Sequence, residues 1–166
     1  MSVDFSQEMS FSAGVLTVSD TRTTETDKSG AHIQALLTSH GHQTVQYAIV
    51  PDEREAISKM VKRWLADEQV DIVIATGGTG IAPRDITIET VQPMLEKEIL
   101  GFGEFFRYLS LTEDIGTRAM LSRALAGTVK GGKLLFALPG SRGAVDLAMQ
   151  KLILPEAAHL LHEARK

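Results

Sequence analysis

The sequence predicts an alternating α/β domain on a mostly parallel sheet with helices on both faces. Three observations carry that prediction. Ile72-Val73-Ile74-Ala75 and Leu134-Leu135-Phe136-Ala137-Leu138 are short apolar runs without polar alternation, the pattern of strands buried on both faces. Ile57, Met60, Val61, Trp64 and Leu65 recur at helical spacing as one apolar stripe. Strand-like and helix-like segments then alternate along the chain, which favours parallel pairing through crossover helices.

Residues 1–11 show no period and are expected to form a tail or an arm lying on a neighbour, with one domain over 12–166. Ala13 to Val18 reads as the first strand, ending in Ser19-Asp20-Thr21-Arg22. Thr23 to Lys28 reads as a solvated loop and Ser29 as a helix cap. Ile33, Leu36, Leu37 and His40 then follow at helical spacing up to the stop at Gly41. Val45, Tyr47 and Ile49 alternate with polar neighbours as a second strand that ends at Val50-Pro51-Asp52. The helix of residues 57–65 has Glu53 and Glu55 near its start and Lys62 and Arg63 near its end, which suits the helix dipole.

After the strand at Ile72, Thr87 reads as the cap of a short helix through Val91. Helices are expected over Gly101–Leu111 and again over Arg118–Ala126. Thr128 to Leu138 reads as a hairpin turning at Gly131-Gly132. A last helix starts near Gly143 and is bent or restarted by Pro155. His40 and His42, flanking Gly41, are expected to be exposed.

Composition narrows the function. The 166 residues suit one domain, with 43% hydrophobic and 23% charged residues, as in ordinary soluble proteins. A net charge of −4 offers no general basis for nucleic-acid or membrane-surface binding. No cysteine is present, which excludes disulfides, thiolate metal sites and a cysteine nucleophile. No apolar run is long enough to span a membrane, and Met1–Ser12 lacks a signal-peptide pattern, so a cytoplasmic protein is the expectation.

The chemistry gathers at the strand ends. Gly77-Gly78-Thr79-Gly80 follows a buried strand directly, where glycines admit positive φ and bring bare amides close to a ligand. Asp85 follows five residues later. A carboxylate beside an anion site calls for a cation between them, and Mg²⁺ prefers such hard oxygens. The P-loop and dinucleotide patterns are both absent, and Pro139-Gly140-Ser141 lacks the first glycine of a hydrolase elbow. If the strands run parallel, Ser19, Asp20, Asp52, the glycine turn, Asp85 and Pro139-Gly140-Ser141 share one sheet edge and are expected to converge on one crevice.

These residues, with Pro83-Arg84-Asp85 and Gly101-Phe102-x-Glu104-x-x-Arg107, resemble the molybdenum cofactor biosynthesis family, most closely its bacterial B-type proteins. Those are related to molybdopterin adenylyltransferases and to the G-type domains of eukaryotic fusions. The resemblance covers Ser12 to the carboxyl end and implies a three-layer α/β/α domain with a mixed sheet, assembled as a trimer or hexamer. It also implies a nucleotidyltransferase in which the phosphate of molybdopterin attacks the α-phosphorus of Mg-ATP, giving adenylylated molybdopterin and pyrophosphate. Under it, Asp85 and Asp52 hold Mg²⁺ and serve catalysis. Gly77, Gly78, Thr79 and Gly80 cradle phosphate; Ser19, Asp20, Pro139, Gly140, Ser141 and Glu104 contact the ligands. Other proteins of the pathway are implied partners. The alternative is a non-catalytic molybdopterin-binding oligomer of the same pathway. One departure is Arg142, where the family often has proline.

Overall fold

A computed structural model describes residues 9–166, so the structure of residues 1–8 of the expected tail lies outside the description. Six strands form one sheet in the order β2-β1-β3-β6-β5-β4. They are β1 (Ser12–Val18), β2 (Gln43–Val50), β3 (Ile72–Thr76), β4 (Lys97–Glu98), β5 (Leu125–Val129) and β6 (Lys133–Leu138). β1, β2, β3 and β6 are parallel, whereas β5 runs antiparallel to both β6 and β4, so the sheet is mixed but mostly parallel.

The helices are α1 (Lys28–Ser39), α2 (Arg54–Leu65), α3 (Thr87–Val91), α4 (Leu100–Glu113), α5 (Arg142–Ala148) and α6 (Leu154–Ala164). They cover the sheet on two sides. Along β3, Ile72 and Ile74 enter a core with Ile33 of α1, Phe102 and Phe106 of α4, Val145 of α5 and Leu161 of α6. Val73 and Ala75 enter the opposite core with Ile57, Val61 and Trp64 of α2 and Val91 of α3. Every residue of β3 is buried, which is why its sequence shows no alternation. β2 is an edge strand, partly exposed from Thr44 to Ile49 without alternation. A bulge leaves Val45 without a partner on β1 and sends Val45 and Tyr47 to opposite cores, which corrects the expected alternation.

Several expectations are corrected. Phe11 is only 2% exposed and belongs to the core, so the domain begins before Ser12. His42 is buried, not exposed: its ring stacks on Phe11 at 3.8 Å. Asp27, not Ser29, caps α1 by accepting from the Gly30 amide. Thr87 lies inside α3 rather than capping it, and spends its hydroxyl on the carbonyl of Gly77.

The helix expected over Arg118–Ala126 is instead a 3₁₀ turn, Gly116–Leu121, followed by β5. Tertiary pairing overrides the local pattern here. Leu125 to Val129 gains a full antiparallel ladder with β6, and Gly127 lets β4 approach so closely that a Cβ would stand 2.7 Å from the Lys97 carbonyl. The hairpin loop, Lys130-Gly131-Gly132, is closed by the Val129–Lys133 pair, and Gly131 (φ 93°) and Gly132 (φ 70°) take the left-handed conformations that favour glycine. Pro155 restarts the last helix: a π-helical stretch, Met149–Ile153, separates α5 from α6.

Candidate functional site

Parallel register places the ends of β1, β3 and β6 side by side, with Thr17 opposite Thr76 and Thr76 opposite Leu138. The chain leaves β1 for β2 on one side, while β3 lies on the other. This is the switch point where open α/β sheets bind ligands. A crevice of about 360 Å³ opens there. Ser19 from the end of β1, Gly77 from the end of β3, and Gly140 and Ser141 after β6 line it.

The other predicted site residues lie elsewhere. Asp20, Asp52, Gly78, Thr79, Gly80 and Asp85 do not line this crevice. The expected single crevice is therefore two adjoining regions. Gly77 (φ 98°) turns the chain between them, with its α-carbon so near Gly140 that a Cβ on Gly140 would stand 3.2 Å away. Beyond it, a Cβ on Gly78 would meet Asp52 Oδ1 at 2.9 Å, and one on Gly80 would meet Asp85 Oδ2 at 2.6 Å. Asp20 joins this acidic region by accepting from the Asp52 amide at 2.9 Å. Burial, then the Asp20 charge, pushes the Asp52 carboxyl above its usual range; Arg84 opposes the shift and Asp85 adds to it.

Not every glycine-turn amide is available. Gly77 donates to the Leu138 carbonyl at 3.0 Å, so its expected part in cradling phosphate is corrected. The amides of Gly78, Thr79, Gly80 and Ile81 meet no protein acceptor among the described residues. Asp85 turns its carboxylate onto its own loop and accepts from the Ala82 amide at 3.0 Å. Glu104 is exposed on α4 and lines neither region, and Pro139 contributes a carbonyl that accepts from Thr76. Ser141 caps α5, its hydroxyl accepting from Ala144.

The crevice also holds residues outside the sequence-based set: Thr17, Thr21, Arg22, Asp27, Ser29 and Thr76. Ser29 donates to the Gly140 carbonyl at 2.8 Å and so ties α1 to the loop after β6. Asp27, expected in a solvated loop, is 3% exposed and accepts from Thr17, Tyr47 and Gly30. A signal for it was present, because Asp just before Lys28-Ser29-Gly30 fits a helix cap. Arg22 brings positive charge to a polar cleft. Among the described residues no group of three or more His, Asp or Glu side chains forms a ready-made metal site, and no helix is long and apolar enough to cross a membrane.

This architecture matches known proteins closely. Residues 14–159 match the family model described as "Probable molybdopterin binding domain". The molybdenum cofactor biosynthesis protein B of Staphylococcus carnosus is 60% identical over 154 residues, 92% of this chain and 89% of that protein. A crystal structure of a molybdenum cofactor biosynthesis protein B superposes with a TM-score of 0.91 at 52% identity, over 94% of this chain and 96% of the other. The tungsten cofactor synthesizing protein MoaB from Pyrococcus furiosus superposes with a TM-score of 0.80 at 39% identity, over 95% and 98% of the two chains. On sequence and fold together, the chain belongs to the molybdenum cofactor biosynthesis protein B family.

Proposed function

We propose that this protein binds molybdopterin in the crevice and transfers an adenylyl group to its phosphate from Mg-ATP. The observation that carries the reading is the pairing of an unsatisfied amide run, Gly78 to Ile81, with the carboxylates of Asp52 and Asp85. Free amides suit phosphate oxygens, and crowded carboxylates beside them suit a divalent cation. Asp52 and Asp85 would hold Mg²⁺, and the ion would supply neutralisation of the triphosphate charge.

In this reaction a phosphate oxygen of molybdopterin forms a bond to the α-phosphorus of ATP. The bond from that phosphorus to the bridging oxygen breaks, and pyrophosphate leaves with the electron pair. The chain's part is placement and charge balance. Gly78, Thr79 and Gly80 present amides to the nucleotide phosphates. Ser19, Ser141 and Arg22 line the crevice for the pterin and its phosphate. Asp20 holds the Asp52 backbone through its amide.

Purified protein incubated with molybdopterin and Mg-ATP is expected to release pyrophosphate and form the adenylate. Asp85→Asn should lower that rate by at least about 100-fold while pterin affinity stays within about threefold, because charge placement acts mainly in the transition state. If wild-type protein binds both ligands and forms no adenylate, the catalytic reading fails and the non-catalytic molybdopterin-binding oligomer remains. The Asp85–Ala82 hydrogen bond favours that second reading, since it engages the carboxylate within its own loop.

The exposed Phe105, Tyr108, Leu111 and Met120, on α4 and the 3₁₀ turn after it, form the surface proposed for self-assembly.

A further inference from the structure

Arg123 belongs to none of the motifs and stands well after the glycine turn in sequence, yet its guanidinium is spent largely on that turn. Nε donates to the carbonyls of Thr79 and Gly80, each at 3.0 Å. Nη2 donates to Gly80 again at 2.7 Å and to the Asp85 carbonyl at 3.2 Å. Both terminal nitrogens also reach the Glu89 carboxylate, which holds the guanidinium on its far side. On the other flank, Thr87 donates its amide to the Gly78 carbonyl at 3.0 Å and its hydroxyl to the Gly77 carbonyl at 2.8 Å.

The consequence follows from peptide geometry. A trans peptide is planar, so the carbonyl of one residue and the N–H of the next point in opposite directions. Thr87 draws in the carbonyls of Gly77 and Gly78, which turns the amides of Gly78 and Thr79 away from it. Arg123 draws in the carbonyls of Thr79 and Gly80, which turns the amides of Gly80 and Ile81 away from the guanidinium. These four successive amides are the ones that meet no protein acceptor among the described residues. Thr79 is only 3% exposed, and a donor left unpaired in so enclosed a residue is costly without a ligand.

We propose that Arg123 is a positioning residue for anion binding: by holding the Thr79 and Gly80 carbonyls it presents the Gly80 and Ile81 amides to the phosphate groups of the nucleotide. The inference rests on the proposed nucleotide site and names what shapes it. Arg123 does not touch the ligand. Lysine is a poor substitute, because one ammonium cannot reproduce the planar fork that reaches several carbonyls at once.

The test uses the full chain and two independent readouts, inorganic pyrophosphate titrated by calorimetry and backbone ¹⁵N relaxation without ligand. In wild type, Gly78 to Ile81 should be rigid, with order parameters of about 0.85. In Arg123→Gln, Gly80 and Ile81 should fall below about 0.6 while Gly78, still pinned by Thr87, keeps its value. Pyrophosphate should bind at least about 10-fold more weakly, with Arg123→Lys between Gln and wild type. Glu89→Gln keeps the carbonyl contacts and should stay within about threefold of wild type. Unchanged order parameters at Gly80 and Ile81 in Arg123→Gln would overturn the inference. So would loosening spread evenly over the sheet, or unchanged pyrophosphate affinity despite a loosened turn. If wild type itself ignores pyrophosphate, the nucleotide reading falls, whereas the relaxation data alone still decide whether Arg123 holds the turn.

Discussion

Tyr47, on edge strand β2, donates its phenolic hydrogen to the carboxylate of Asp27, the buried cap of α1. Thr17 of β1 donates to the same oxygen at 2.7 Å, and the Gly30 amide to the other at 3.0 Å. One carboxylate therefore joins two strands and a helix on the wall of the crevice. Burial raises the Tyr47 pKa, and the Asp27 hydrogen bond and charge raise it further.

Tyr47→Phe is expected to cost about 2 kcal/mol in urea denaturation, because it removes a hydrogen bond to a charged group. Alkali should act in a defined direction. A tyrosine pKa raised by folding leaves its stabilisation intact below the ordinary value of 10.0 and loses it as pH climbs past that value. Wild type should therefore lose more stability than Tyr47→Phe between neutral pH and about pH 11, where the unfolded phenol ionises.

His42 should give the opposite slope. Burial, with a smaller push from His40, holds its pKa below the ordinary 6.5, and Nδ1 accepts from the Phe11 amide at 3.3 Å. Below pH 6.5 the unfolded chain takes up the proton first, so stability is present above that value and falls as pH drops through the lower folded pKa. Melting temperatures across this range should fall for wild type and flatten for His42→Gln, with exposure of Phe11 to proteolysis following the same curve.

Asp52 should titrate above its ordinary value of 3.8 when followed by carboxyl carbon NMR. Asp20→Asn removes the neighbouring charge and should lower the midpoint, leaving the part due to burial. Magnesium affinity should drop as pH falls through the Asp52 midpoint, since only the carboxylate is a ligand. A midpoint unmoved by Asp20→Asn would show that the two charges are not coupled.

The α4 face supplies a test of assembly. Phe105 and Tyr108 are 63% and 64% exposed, with Met120 beside them at 79%. Phe105→Ser with Tyr108→Glu should shift the mass measured by light scattering from a multiple of the chain to a single chain, leaving helical content unchanged. An unaltered mass would place the contact surface elsewhere.

Local sequence was enough to mark the layers. Buried runs such as Ile72–Ala75 stand out because both faces of β3 are covered, and α2 shows its stripe because only one face is. The glycine turn was equally legible, since Gly77 and Gly78 both take positive φ directly after a strand. The hairpin of Thr128 to Leu138 was legible, but the start of β5 was misread: Leu125 and Ala126 were placed in a helix because their partners, Ala137 and Phe136, lie on the far side of that hairpin. Asp27 looked like a loop residue because its burial is supplied by Tyr47 and Thr17, which lie 20 and 10 residues away.

By itself, then, the sequence determined the alternation of elements, the sheet edge that carries the loops, and the family. Those properties are written in runs of a few residues, where hydrophobic period and backbone freedom act locally. Only the tertiary structure decided that the rim divides at Gly77, that the Gly77 amide is consumed by Leu138, and that Arg123 closes on carbonyls 43 and 44 residues away. Hydrogen-bond direction across such distances is set by how the layers pack, and a peptide group aims its N–H only after its carbonyl has found a partner.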